Sequence, residues 1–145
     1  IISIDGSLLV SSKNDVDLIK YEINSFNTAE YVLGETEFRP WGSFKIIEKN
    51  EKYVVKKLII KPKHKLSLQK HMHRSEHWTI VKGEALVTLE KSEITLKKNK
   101  SIFIPRESIH CIENRLDEDL EIIETQLGEI LSESDIIRYE DPYNR

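Results

Sequence analysis

The sequence predicts an all-β fold, a barrel or sandwich of short strands, on three observations. From Trp41 onward, short stretches of alternating apolar and polar residues recur about every 8 to 12 residues, a spacing typical of such folds. Turn-forming residues, among them Lys49-Asn50, Pro62 and Gly83, separate these stretches. The chain has 145 residues, which is enough for a single domain with one hydrophobic core.

Nine strands are predicted, and the segments on either side of them are expected to differ. The strands are expected at residues 43–49, 52–61, 66–72, 76–82, 85–90, 92–97, 101–104, 109–114 and 119–126. Before them, residues 1–10 are predicted to form two short strands, residues 14–23 a helix and residues 24–38 an irregular linker. The tail, residues 132–145, is predicted to form one short helical turn with an irregular end.

Composition excludes several classes of protein. The formal net charge is −3, from 25 acidic and 22 basic residues mixed along the chain, so we expect no nucleic-acid partner. No apolar stretch approaches the roughly 18 residues that span a bilayer, so we expect no membrane partner. A single cysteine, Cys111, excludes an internal disulfide bond and fits a reducing compartment. No secretory signal pattern opens the chain, and we expect a cytoplasmic protein.

Three of the chain's five histidines lie in one short stretch, "LSLQKHMHRSEHWTIVKG" at residues 66–83. In a strand, side chains alternate between the two faces, so residues two apart share a face. Gln69, His71 and His73 are therefore predicted to point the same way. This places three side chains with metal-binding atoms on one side of the same strand.

The next strand separates an acidic residue from the third clustered histidine. Glu76 shares a face with Trp78 and is predicted to point into the barrel, where a carboxylate needs a partner to offset its desolvation. His77 points to the opposite face, which makes it a poor ligand candidate. In "IPRESIHCIEN", His110 falls on the face of Ile112.

A polar set on inward faces of a small barrel predicts a divalent cation. Its members are Gln69, His71, Glu76 and His110. Imidazole suits zinc, iron, nickel or copper, while a carboxylate and an amide oxygen keep harder metals possible. The alternative is that these side chains are ordinary hydrogen-bonded residues.

Two motifs in this set resemble those of the cupin family. The first cupin motif is His-x-His-x(3,4)-Glu-x6-Gly, and Glu76 precedes Gly83 at its spacing. Counting back from Glu76 gives the register Gln69-x-His71-x4-Glu76, with glutamine in place of the first histidine. The resemblance implies a cupin double-stranded β-helix, a jelly-roll barrel, with a short helical and linker extension at its N-terminus.

The second cupin motif, Pro-x-Gly-x2-His-x3-Asn, resembles the run from Pro105 through His110 to Asn114. This chain departs from the family at Glu107 and Asn99, where glycine is usual. Asparagine tolerates a positive φ better than glutamate, so the departures affect turn geometry rather than the proposed ligands.

A narrower resemblance is to the type II phosphomannose isomerase domain. It is carried by "RPWGSF" (39–44), "LSLQKHMHRSEHW" (66–78), "KNKSIFIPRESIHCIEN" (98–114) and "DIIRYEDPYNR" (135–145). In that family the domain follows a mannose-1-phosphate guanylyltransferase domain in one bifunctional chain. The resemblance implies that residues 39–145 are the isomerase domain and residues 1–38 the end of the upstream part plus a linker. No guanylyltransferase activity is expected of this chain by itself.

The resemblance also implies a ligand set and a cofactor. Type I phosphomannose isomerases bind zinc with a glutamine, two histidines and a glutamate, so the implied Zn²⁺ ligands are Gln69, His71, Glu76 and His110. His73 becomes a substrate-facing residue, and it remains the reserve ligand if the other register holds.

The implied reaction converts mannose 6-phosphate into fructose 6-phosphate and requires a base and a phosphate site. His73 and Lys56 are the candidate bases, Lys56 only if burial lowers its pKa. Arg39, Arg138 and Arg145 are the candidate phosphate ligands, because arginine binds phosphate oxygens in a bidentate manner. Each of these arginines could equally form a surface ion pair.

Two other functions remain open at this point. One is a non-catalytic cupin that binds a sugar phosphate and regulates or assembles a larger enzyme. The other is a cupin epimerase or dioxygenase, although dioxygenases favour a site of two histidines and one carboxylate, and the amide ligand argues against it. Since exposed sheet edges of cupins commonly pair, we also expect a homodimer.

Overall fold

The computed structural model describes residues 2–4, 7–9, 34 and 36–143, and the chain divides into two compact units, Ile1–Glu35 and Thr36–Arg145. In the first unit, β1 (Ile2–Ile4) pairs antiparallel with β2 (Ser7–Leu9), which confirms the two short strands expected there. The helix predicted at residues 14–23 lies outside the described residues.

The described part of the second unit consists of strands in two antiparallel sheets and one short 3-10 helix, Glu133–Asp135, which confirms the helical turn predicted in the tail. The strands are β3 (Thr36–Arg39), β4 (Gly42–Lys49), β5 (Tyr53–Ile60), β6 (Leu68–His71), β7 (Arg74–Lys82), β8 (Glu84–Leu89), β9 (Ser92–Lys97), β10 (Ser101–Ile104), β11 (His110–Glu113), β12 (Leu120–Gly128) and β13 (Ile136–Glu140). One sheet has the order β10-β7-β12-β5-β4-β3, and the other has the order β13-β6-β11-β8-β9. The predicted all-β fold is confirmed. The described part of the chain contains no helix with the length and apolar character that crossing a bilayer requires.

The hydrophobic core joins the two sheets and follows from the alternation of the strands. On β7 and β12, Trp78, Ile80 and Ile122 are buried, and they pack in one cluster with Val87 of β8 and Ile112 of β11. Full burial of such a side chain contributes about 1.5–3 kcal/mol. The same alternation that packs apolar side chains inward carries the polar side chains of the site inward at other positions.

Two strands differ from the sequence expectation. β3 lies in the predicted linker and pairs with β4, and β13 lies in the predicted irregular end and pairs with β6. Both are edge strands without a fully buried residue, and their apolar Phe38 and Ile137 are exposed, so apolar residues do not mark an inward face with a period of two. Their hydrogen bonds to a neighbouring strand decide their structure.

The two turn residues that stand where cupins usually have glycine adopt left-handed backbone conformations. Asn99 has φ 67° and Glu107 has φ 65°. Glu107 has an exposed side chain, and its backbone N–H donates to the carbonyl of His71 at 2.7 Å. A non-glycine residue in this region costs about 1–2 kcal/mol.

Glu107→Gly is therefore expected to raise the free energy of unfolding by about 0.5–1 kcal/mol, after subtraction of the extra chain entropy that glycine loses on folding. Urea denaturation followed by circular dichroism measures the change. Asn99→Gly is the matched control and should gain less, because asparagine tolerates the left-handed region. An unchanged or lower stability of Glu107→Gly would contradict the strain assigned to this turn.

Candidate metal centre and adjoining cavity

Three buried side chains converge between the two sheets. His71 ends β6, Glu76 lies on β7 and His110 begins β11, and one potential ligand atom from each lies within 4.8 Å of the others. Their exposed fractions are 2%, 1% and 1%. Such complete burial of three ionisable groups is stable only if their charges and lone pairs are compensated.

The two imidazoles are oriented so that the same nitrogen of each ring faces Glu76. The Nδ1 of His110 lies 2.8 Å from the Ser108 carbonyl oxygen, and the Nδ1 of His71 lies 3.4 Å from the Asp135 carbonyl oxygen. A carbonyl only accepts, so Nδ1 carries the proton in each neutral ring, and the lone pair is left on Nε2. The Nε2 atoms lie 3.1 Å (His71) and 3.8 Å (His110) from the Glu76 carboxylate.

This donor set fits a divalent metal. Two imidazole lone pairs and a carboxylate face one another, and the Nε2 of His110 has no hydrogen-bond partner among the described residues. A cation between them converts this unfavourable contact of lone pairs into coordination bonds. Two imidazoles and a carboxylate are ligands that zinc and several other transition metals accept.

Neighbouring donors hold Glu76 in its ionised form. Its Oε1 accepts hydrogen bonds from Arg74 Nε and Gln126 Nε2, each at 3.1 Å, and its Oε2 accepts from Trp78 Nε1 at 3.2 Å. Burial alone would raise the pKa of Glu76. When the rings are protonated, the hydrogen bond from His71 and the charges of His71 and His110, together with the charge of Arg74, outweigh burial and hold the pKa of Glu76 well below its usual range. A metal ligand must be deprotonated, and this carboxylate meets that condition.

Gln69 lies beside this group. It is 7% exposed and pairs with His110 between β6 and β11, so the two side chains share a face. Its Oε1 accepts a hydrogen bond from Ser67 Oγ at 2.9 Å, which orients the amide and leaves one lone pair of the oxygen for another partner. The role of Gln69 as fourth ligand stays a prediction.

The other two clustered histidines and the cysteine point elsewhere. His73 follows the end of β6, its side chain is 48% exposed, and its Nδ1 lies 2.8 Å from Asp135 Oδ1. His77 is exposed on β7. Cys111 donates to the Leu66 carbonyl at 3.2 Å, and burial raises the pKa of its thiol to about 11. The structure therefore brings His71 to Glu76 and leaves His73 outside the group.

A cavity with about 470 Å³ of empty space, its open mouth included, reaches this group at Glu76 and Gln69. Its described lining is rich in charge and contains Arg39, Lys56, Arg74 and Arg138 together with Glu76, Glu124 and Glu133. Gln69, Ser67, Gln126, Trp41 and several apolar side chains complete it. A ligand with both hydroxyl groups and negative charge suits such a lining.

The cationic residues predicted from the sequence have different surroundings. Arg39 Nη2 lies 2.6 Å from Glu37 Oε2 in an ion pair at the cavity edge. Lys56 is 12% exposed and Arg138 is 28% exposed, and both line the cavity. Arg145 lies outside the described residues. The structure thus places Arg39, Lys56 and Arg138 around one cavity.

Sequence reasoning missed two polar residues of β12 that also line the cavity. Glu124 is 4% exposed, and it accepts hydrogen bonds from Trp78 Nε1 at 3.1 Å and Gln126 Nε2 at 2.8 Å. Burial, followed by the nearby charge of Glu76, raises the pKa of Glu124 to about 8. The signal was present: in "LEIIETQLG", Glu124 and Gln126 share the face of Leu120 and are polar residues at inward positions.

Asp135 was also missed, and it ties the C-terminal segment to the residues that follow β6. Its carboxylate accepts hydrogen bonds from the backbone N–H of Met72 at 3.1 Å and of His73 at 3.2 Å, and from His73 Nδ1 at 2.8 Å. Arg74 Nη1 reinforces the attachment by donating to the Ser132 carbonyl at 2.8 Å. The Asp135 carbonyl, which accepts the hydrogen bond from His71 Nδ1, is thereby held in place.

A close backbone contact lies beside the connection between β6 and β7. A Cβ on Gly128, at the end of β12, would lie 2.2 Å from the His73 carbonyl oxygen and 2.6 Å from the Arg74 Cα atom. Only glycine permits the two strands to approach this closely where the chain passes from β6 to β7.

Solved structures share the architecture of this chain. The cupin domain of Cnp3 from Schizosaccharomyces pombe matches 65% of this chain and 68% of its own, at TM-score 0.59 and 18% identity. An RmlC-like cupin from Shewanella frigidimarina matches 70% and 88%, at TM-score 0.62 and 19% identity. The capsular polysaccharide assembling protein CapF from Staphylococcus aureus matches 73% and 34%, at TM-score 0.63 and 21% identity. The predicted cupin fold is confirmed.

Several proteins share more of their sequence with this chain than these solved structures do. A mannose-1-phosphate guanylyltransferase from Salmonella muenchen is 38% identical over 143 residues, which are 97% of this chain and 30% of the relative. One from Escherichia coli is 34% identical over 148 residues, covering 100% and 31%. The xanthan biosynthesis protein XanB from Xanthomonas campestris is 36% identical, covering 100% and 32%. The chain therefore spans about a third of the length of these relatives.

The profile of one protein family also matches this chain. The match covers residues 27–141, which include His71, Glu76 and His110, the candidate metal-binding group, and every described residue of the cavity lining. The family is described as Mannose-6-phosphate isomerase C-terminal, and the chain belongs to it.

Proposed function

We propose that this chain is a metal-dependent aldose–ketose isomerase that interconverts mannose 6-phosphate and fructose 6-phosphate. The observation that carries the proposal is the buried group of His71, Glu76 and His110 beside a cavity lined with cationic side chains. Membership of the mannose-6-phosphate isomerase C-terminal family supports the choice of substrate. We place the reaction in GDP-mannose and polysaccharide biosynthesis, because relatives include guanylyltransferases and a xanthan biosynthesis protein.

His71, Glu76 and His110 would hold the metal, which we propose to be Zn²⁺, with Gln69 as the fourth ligand. A divalent metal supplies Lewis-acid stabilisation of negative charge on the sugar oxygens. The Ser108 and Asp135 carbonyls keep the imidazole lone pairs directed at this position. The Glu76 carboxylate is held in position by hydrogen bonds from Arg74, Trp78 and Gln126.

A base must move the proton between C2 and C1 of the sugar. Of the two bases proposed from the sequence, Lys56 lines the cavity, while His73 is half exposed and paired with Asp135. We add Glu124, because it lines the same cavity and its pKa of about 8 allows it to accept and release a proton near neutral pH. Arg39 and Arg138, and Arg145 by resemblance, are proposed to bind the phosphate.

The 145-residue chain is expected to convert mannose 6-phosphate into fructose 6-phosphate. A chelator should abolish this turnover and added Zn²⁺ should restore it, because metal removal leaves the Glu76 group without its Lewis acid. A coupled assay that detects fructose 6-phosphate measures the rate, and mannose serves as the control substrate without phosphate. Turnover that survives complete removal of metal would contradict the proposal.

A second candidate function is a non-catalytic cupin that binds sugar phosphate and regulates or assembles the guanylyltransferase. The relatives from Salmonella muenchen and Escherichia coli favour it, because both are named guanylyltransferases. Binding of mannose 6-phosphate without turnover in the metal-loaded chain would support this second function. In either case, we propose that residues 1–38 end the upstream part of a bifunctional protein, and that the chain forms a homodimer in the cytoplasm.

A further inference from the structure

An acidic side chain lies between two cations at the mouth of the cavity. Lys56 comes from β5 in one sheet and Arg138 from β13 in the other. Glu133 Oε1 lies 4.0 Å from Lys56 Nζ, and Glu133 Oε2 lies 3.7 Å from Arg138 Nη2. Each oxygen of one carboxylate thus faces a different cation.

These ion pairs are loose, and their partners differ in exposure. Both distances exceed the roughly 3.2 Å limit of a hydrogen bond. The Glu133 side chain is 55% exposed, whereas Lys56 is 12% exposed and Arg138 is 28% exposed. The Nε of Arg138 is buried and finds no hydrogen-bond partner in the part of the chain that the structure describes. Lys56 Nζ also lies 4.8 Å from the centroid of the Phe44 ring, so the fold positions this cation independently of Glu133. Both cations therefore stay in place, and Arg138 keeps an unused donor, if the exposed carboxylate leaves.

The two cations belong to the same cavity as the metal-binding group. Arg138 pairs with Gln69 between β13 and β6, and Gln69 pairs with His110 between β6 and β11. Paired residues of neighbouring strands project their side chains to the same face. A ligand with an anionic group at one end and hydroxyl groups at the other could therefore contact both positions.

We propose that Lys56 is a phosphate ligand rather than the base, and that it forms with Arg138 the subsite for the phosphate of the substrate. The Glu133 carboxylate occupies this subsite as an internal anion that phosphate displaces. A phosphate dianion carries more charge than a carboxylate and offers more oxygens to arginine, so it expels Glu133. A neutral sugar has no group that replaces the carboxylate. Glu133 thereby lowers the affinity for anions in general and favours phosphorylated ligands. The identity of the ligand as a phosphosugar rests on the proposed function, whereas binding of phosphate does not.

The test is isothermal titration calorimetry, which measures the affinity of the 145-residue chain for inorganic phosphate, mannose 6-phosphate and mannose. Glu133→Gln removes the competing charge with little change of shape, and it should tighten phosphate binding about 3- to 10-fold. Mannose binding should not change. Glu129→Gln is the matched control: it removes the same charge from an exposed side chain of the same segment, and it should leave phosphate affinity unchanged.

Loss of either cation gives the opposite result. Lys56→Met and Arg138→Gln should each weaken phosphate binding by about 10-fold or more. Thermal unfolding checks that each variant is folded. Unchanged or weaker phosphate binding by Glu133→Gln would overturn the internal anion, and unchanged binding by both cation variants would overturn the subsite.

The outcomes separate this inference from the proposed function. Tighter phosphate binding by Glu133→Gln in a chain without isomerase activity retains the subsite and rejects the isomerase. Isomerase activity in a chain whose phosphate affinity Glu133→Gln does not change retains the isomerase and rejects the internal anion. Mannose 6-phosphate is expected to bind more tightly than inorganic phosphate, and equal affinities would overturn the assignment of the subsite to a phosphosugar.

Discussion

His110→Ala is expected to lower metal affinity more than 100-fold and to remove isomerase activity with it, and His71→Ala should do the same. Changes beyond the direct ligands typically cost about 10- to 100-fold in metal affinity, so loss of a ligand should cost more. The His110 Nε2 is buried, faces the Glu76 carboxylate and lacks a hydrogen-bond partner among the described residues. Alanine leaves only part of the donor set around the cation.

Metal content after dialysis, measured by mass spectrometry, and turnover of mannose 6-phosphate are the two readouts. His77→Ala is the control, because its side chain is exposed on the outer face of β7, and it should keep both metal and activity. Gln69→Ala and His73→Ala then decide the fourth ligand: we expect Gln69→Ala to weaken metal binding and His73→Ala to leave it intact. Metal loss from His77→Ala but not from His110→Ala would reject the arrangement.

Asp135→Ala should both destabilise the chain and weaken metal binding, although Asp135 is not a ligand in the proposed set. The variant removes a buried acceptor that serves the backbone N–H groups of Met72 and His73 and the His73 ring. Leaving such donors unpaired costs about 1–3 kcal/mol each where they stay buried. The Asp135 carbonyl, which accepts from His71 Nδ1, loses its fixed position, and metal affinity should fall about 10- to 100-fold.

Urea denaturation and competition with a chelator of known affinity measure the two effects of Asp135→Ala. Asp135→Asn keeps one side-chain oxygen in place, so its stability and metal affinity should lie between those of the unsubstituted chain and those of Asp135→Ala. Ser134→Ala, at an exposed neighbouring position, is expected to change neither quantity. Normal metal affinity in a folded Asp135→Ala chain would show that the C-terminal segment does not orient His71.

Strand alternation predicted the placement of some site residues and failed for others. It predicted that Glu76 is buried and His77 exposed, as the structure shows. It also placed His73 on the face of His71, but β6 ends at His71 and the His73 ring turns toward Asp135. The cause lies 62 residues further along the chain, where the Asp135 carboxylate accepts the His73 backbone N–H. A local pattern does not contain that contact.

The residues and strands that were missed differ in whether the sequence alone could have revealed them. Glu124 and Gln126 were visible as polar residues at inward positions of a strand, and attention to the period of two would have found them. The edge strands β3 and β13 were not visible in this way, because their pairing depends on an available sheet edge rather than on their own composition. The charge pattern alone also did not predict that Glu133 lies between Lys56 and Arg138.

The metal-binding group takes His71 and His110 from one sheet and Glu76 from the other. An ion bound there would join the two sheets, and its binding free energy would add to the free energy of unfolding of the chain. Under the proposed function, the availability of the ion would then govern the stability of the fold as well as the chemistry of the site.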